Sequence, residues 1–176
     1  MRIVPKPYFC LLSLMALCIS NVGKAGTAAT TDTNTASVSA TCQAPTVTTL
    51  AFGNYNPLLN TEVSATTTIN IKCTNTTPIT SVALNAGTNG GAVNARTMEL
   101  TGDTTKKLYY GLYKDLAHTQ MWGDGTNSTT MYTGKSGAGL NTDVSFIVYG
   151  VIYANAQNLA AKPGNYSDTI TVTVTY

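Results

Sequence analysis

Few side chains in this chain are of a type that performs chemistry. His118 is the single histidine, so a zinc site built on imidazole would need unusual partners. A serine–histidine–aspartate set needs a positioned nucleophile, and no Gly-x-Ser-x-Gly occurs. Thr133-Gly134-Lys135-Ser136-Gly137 holds the Gly-Lys-Ser of a phosphate loop, but Thr129 stands where that loop needs its first glycine. Asp124-Gly125-Thr126-Asn127-Ser128 has the look of a calcium loop. Its glycine comes too early and no glutamate closes it. Asp115 and Asp124 are the best pair of carboxylates for sugar cleavage. Isolated aspartates in turn-forming segments are the commoner arrangement. The expectation is a non-enzyme with no catalytic residue, no metal and no cofactor.

Two further residue types carry information. Trp122, the sole tryptophan, lies in "QMWGDG". Exposed, it is a possible contact that stacks on a sugar or a surface; buried, it anchors a core with its N–H bonded to backbone. Burial is the favoured reading. Cys42 and Cys73 are 31 positions apart. In an exported chain an even pair reads as a disulfide, with two buried free thiols as the alternative. Such a bridge is worth roughly 3.5 to 4 kcal/mol in the loop-entropy account.

Export is read from the start of the chain. Arg2 and Lys6 precede an apolar run from Tyr8 to Ile19, and small residues follow up to Ala25. A basic start, a short apolar stretch and a small-residue end describe a secretory signal peptide over residues 1–25. The run is short for a membrane span, so none is expected in the mature chain. Removing Arg2, Lys6 and Lys24 leaves seven basic residues against eight acidic ones, a net charge near −1 instead of +2. That surface has no electrostatic footprint for nucleic acid.

The elements that must position these residues all read as strands. "TTTINIKC" puts Ile69, Ile71 and Cys73 on one face, and "GNYSDTITVTVTY" alternates Ile170, Val172, Val174 and Tyr176 with threonines. "ASVSATC" (36–42), "TVTTLAF" (46–52), "ITSVALNA" (79–86) and "KLYYGLYK" (107–114) add further strand-like runs. "DVSFIVYGVIYA" (143–154) is nearly continuous in apolar residues, as a central strand should be. Turn-forming clusters separate them. One all-β domain over residues 36–176 follows, a sandwich or barrel. Residues 26–35, "GTAATTDTNT", read as a flexible N-terminal arm.

Several of these pieces recur in a recognisable order: Cys42, "FGNYNP", "INIKC", "RTMEL", "LYYGLYKD", "WGDG", "VYGVIYANAQ" and the segment 164–176. In that order the chain resembles the spore coat U domain family, which includes the Csu-type subunits of archaic chaperone–usher pili in Gram-negative bacteria. The resemblance implies an incomplete immunoglobulin-like β-sandwich whose missing strand leaves a groove. It implies a structural pilus subunit supporting surface attachment and biofilm formation. Its partners would be a periplasmic chaperone, an outer-membrane usher and neighbouring subunits, and it would travel through the periplasm to the cell surface. Cys42 and Cys73 would form the family's disulfide. Ile170, Val172, Val174 and Tyr176 would border the groove, and an N-terminal arm would fill it in the next subunit by β-strand addition. The arm departs from that pattern. It offers Ala28 and Ala29 with Thr31 and Thr33, and Val38 reads as part of the first strand. Small side chains forgo about 0.8 kcal/mol per missing methylene, so a weak donor is expected. The alternative is a secreted, non-polymerising binding module or adhesin.

Overall fold

The computed structural model describes residues 26–176. The expected signal peptide, residues 1–25, lies outside the described residues. The described chain falls into two units divided between Ala36 and Ser37. In the first, residues 26–36 are exposed and carry no regular structure. The second, Ser37–Tyr176, is an all-β sandwich with an open groove.

Its strands are β1 (Thr46–Val47), β2 (Val63–Ile71), β3 (Pro78–Ile79), β4 (Ser81–Leu84), β5 (Arg96–Leu100) and β6 (Asp103–Tyr113). After them come β7 (Lys135–Ser136), β8 (Val144–Ile152), β9 (Tyr166–Ser167) and β10 (Val172–Thr175). A 3-10 turn, Pro57–Leu59, and one short helix, α1 (Ala156–Leu159), complete the described elements. The large sheet runs β1-β2-β8-β6-β5-β9, and every pairing in it is antiparallel. β10 and β4 form a second sheet, and β3 pairs with β7.

The near-continuous apolar run became β8, flanked on both sides by β2 and β6. Its Phe146, Val148 and Ile152 are buried, and they meet Ile69 and Ile71 of β2, Leu108 and Leu112 of β6 and Val82 and Leu84 of β4. β-branched side chains suit this pleated, half-buried surface, and each one fully buried contributes about 1.5–3 kcal/mol. Ile147 points the other way and stays 46% exposed, as a period of two requires.

Two expected strands are corrected. Residues 36–42 form no strand. They make a single bridge, Cys42 to Cys73, and Val38 is 87% exposed. Alanine and serine alternate there without the apolar volume that would hold the segment on the core. The segment 46–52 keeps only two residues in the ladder, because Leu50 and Phe52 leave it to lean over Gly150. A Cβ there would come within 2.6 Å of Leu50 Cδ2 and 2.8 Å of Phe52 Cζ, so the missing side chain is what admits them.

A candidate strand-docking groove

A cavity of about 1080 Å3 opens along the sandwich. Its floor is the core itself: Ile69, Leu84, Met98, Leu108, Leu112, Val148 and Ile152 all reach it. One lip is the segment from Val47 to Pro57. The other is the stretch from Ala161 to Ile170 with Val172. No strand of the unit Ser37–Tyr176 fills the groove.

Both lips present unused backbone. Leu50–Tyr55 make no backbone–backbone hydrogen bond among the described residues. Phe52 is held instead by ring contact with Tyr110, 6.1 Å between centroids, and Tyr55 Oη donates to Tyr153 O at 3.4 Å. On the second lip, β10 pairs with β4 in the register Thr173 to Ala83 and Thr175 to Ser81. Asn85 N donates to Thr171 O and Thr80 N to Thr175 O. In an antiparallel pair alternate residues aim their backbone groups at opposite neighbours. The odd-numbered threonines thus face β4, and the N–H and C=O groups of Ile170, Val172 and Val174 face the unpaired side. β10 has no second strand partner among the described residues.

A polar frame stands behind the second lip. Arg96 of β5 is 1% exposed. Its Nε donates to Asn85 O at 2.9 Å and its Nη2 to Leu84 O at 3.2 Å, while Nη1 has no partner. Burial holds the guanidinium pKa below its usual value. The Asn85 side chain accepts from Thr171 N at 2.8 Å. Asp168, between β9 and β10, accepts from Thr88 N, Thr88 Oγ1 and Asn89 N at 2.9, 3.1 and 3.2 Å. It also accepts from Tyr110 Oη at 2.7 Å. Burial, and then this bond, push the Tyr110 hydroxyl well above its usual pKa, so it stays a donor.

The residues singled out in the sequence divide between this groove and other places. Ile170 and Val172 line it, and Ile170, Val172 and Val174 are partly buried against the core. Tyr176 is 53% exposed beyond the strand. Ala28, Ala29, Thr31 and Thr33 are exposed and lie in no strand. Cys42 and Cys73 form the disulfide, with Cα atoms 4.0 Å apart and Cys73 fully buried. Trp122 is not an exposed contact. It is 0% exposed, its Nε1 donates to Val82 O at 2.9 Å, and it meets Tyr132 edge-on at 4.6 Å. An indole that large gains more from the core than from solvent once its N–H has a carbonyl.

Asp115 and Asp124 are each consumed by their own turn. Asp115 accepts from Thr119 and Gln120, and Asp124 from Thr126. No cluster of three metal-ligating side chains occurs among the described residues. No described helix is long and apolar enough to cross a membrane. The frame residues Arg96, Tyr110 and Asp168 did not stand out in the sequence. The one available signal was a lone arginine and a lone aspartate set beside apolar alternation.

A search of curated proteins finds no match to the chain. Residues 27–173 match the Spore Coat Protein U domain, which spans the whole sandwich and both lips of the groove except the last three residues. The chain belongs to the Spore Coat Protein U domain family, whose members are associated with exported, fimbrial or pilus-type subunits.

Proposed function

We propose that this chain is a structural subunit of an archaic chaperone–usher pilus, assembled by donor-strand complementation. The observation that carries the reading is the groove: an apolar floor between two lips of unpaired backbone. Such a site takes an extended strand, with main-chain hydrogen bonds supplying affinity and alternate side chains filling the floor. Left empty, those edges would invite aggregation. A periplasmic chaperone shields the groove first, an outer-membrane usher catalyses exchange, and a neighbouring subunit's N-terminal arm replaces the chaperone. The mature chain then begins near Gly26, its arm is 26–35 and its domain 36–176, and the fibre supports surface attachment and biofilm formation.

The exposure of Val38 extends the arm. Ala36, Val38 and Ala40 share one face of an extended chain and are exposed. Val38 supplies the bulk that Ala28, Ala29, Thr31 and Thr33 lack. The donor strand then reaches from the arm, 26–35, into the exposed start of the domain at Val38.

The test is co-expression of the full chain with and without a periplasmic chaperone from the same genome. Soluble yield only as a one-to-one complex supports the reading. A stable, soluble monomer that binds no strand would overturn it. The alternative of a secreted binding module loses its best side chain with the burial of Trp122.

A further inference from the structure

We infer that Asp168 is the positioning residue of the groove. Its carboxylate fixes the crossover between the two sheets, and so sets where the free edge of β10 stands. The inference rests on the strand-docking reading of the groove and names what aligns it.

The geometry isolates the role. β9 belongs to the large sheet through Glu99 and Leu100, and β10 belongs to the small one through β4. Only residues Asp168–Thr171 join them, so the chain changes sheets within four residues. That crossover is the second lip: Asp168, Thr169 and Ile170 all line the cavity. A segment that leaves one ladder before entering the next has little backbone pairing to hold it. Here Thr88 N donates to Thr169 O at 3.1 Å, and Asn89 Nδ2 to Ser167 O at 2.8 Å.

At its far end Asn85 holds Thr171, its N donating to Thr171 O at 3.2 Å and its Oδ1 accepting from Thr171 N at 2.8 Å. Asp168 holds the near end. One oxygen, Oδ1, gathers the Thr88 and Asn89 amides and the Thr88 hydroxyl from the loop after β4. The other, Oδ2, takes the Tyr110 hydroxyl from β6. One side chain thereby ties the crossover to both layers of the sandwich. Gly87, at φ +86°, leaves the carboxylate its place, since a Cβ there would fall on Asp168. Charge-assisted bonds of this kind are short and directional. They set the height of Ile170 and Val172 above the floor, which an incoming strand must match at both lips at once.

The experiment uses the full chain and a labelled synthetic peptide of residues 26–41, comparing the wild type with Asp168→Asn and Tyr110→Phe. Tyr110→Phe keeps the ring on the core and removes only the bond to Asp168. We expect both variants to bind the peptide at least tenfold more weakly, through faster dissociation. Amide exchange should rise at least tenfold at 167–172 and stay unchanged in β2 and β8. A purely stabilising role would raise exchange throughout the sheet instead. Variants that bind as tightly as the wild type, or exchange that rises equally everywhere, overturn the inference while leaving the groove reading intact. A wild type that ignores the peptide overturns both.

Discussion

Trp122, Asp115 and Asp124 sit within ten residues of one another, and each is explained by its immediate partners. The indole is wholly enclosed and its N–H is satisfied by Val82 O. Trp122→Ala should cost about 3–5 kcal/mol, the usual range for emptying an aromatic site. Urea unfolding reads this directly, and a loss under 1 kcal/mol would contradict the packing described. The two carboxylates are held below the usual range, Asp115 chiefly by the Thr119 hydroxyl and Asp124 chiefly by the Thr126 hydroxyl. A folded pKa below the unfolded one adds stability that is present above about pH 4 and lost as pH falls through the folded value. The melting temperature should therefore drop between pH 5 and pH 3. The double variant Asp115→Asn, Asp124→Asn should show a shallower drop. An equally steep drop would mean that other carboxylates govern the acid limb.

At the scale of elements, the first lip depends on two anchors. The disulfide fastens residues 41–43 to 72–74, where Gln43 N donates to Lys72 O at 2.8 Å and Thr74 N to Thr41 O at 2.9 Å. Replacing both Cys42 and Cys73 by serine should cost roughly 3.5 kcal/mol, read as a shift of the denaturant midpoint. The second anchor is the space over β8. Gly150→Ala puts a Cβ against Leu50 and Phe52. Overpacking of that kind costs about 1–3 kcal/mol, and it should lift the lip and weaken peptide binding. If the variant binds peptide normally, the lip is held elsewhere. β10 shows the complementary case, a strand with one partner and, among the described residues, a second edge left open.

For the molecule as a whole, the open groove couples stability to occupancy. The floor residues are core residues, so an occupied groove completes the core. A ligand that binds only the folded state stabilises it by about 2.7 kcal/mol at one hundred times its dissociation constant. Thermal unfolding should move upward with added peptide of residues 26–41. Within that peptide, Val38→Leu adds one methylene, worth about 0.8 kcal/mol or roughly fourfold in affinity. Val38→Ser should weaken binding instead. Equal affinity for all three would place the contacts elsewhere in the arm.

The sequence by itself determined the fold class and the central strand. These follow from local periodicity: Ile69 and Ile71 alternate on β2, and the run from Val144 to Ile152 is too apolar for any place but the middle of a sheet. It offered Cys42 and Cys73 as an even pair, and the folded chain joined them. It also marked Ile170, Val172 and Val174, because an apolar row must face something. What it could not decide was which segments would stay on the ladder. The alternation in 36–42 looked like a strand, yet Val38 is exposed, since alanine and serine offer too little surface to hold it. Leu50 and Phe52 left their strand because Gly150, a hundred residues away, made room. Asp168 gained its role from Thr88, Asn89 and Tyr110, which lie 58 to 80 residues distant. Periodicity reports which face of a segment is apolar. Only the folded chain brings distant partners together, and those partners decide where the groove opens and what holds its edge.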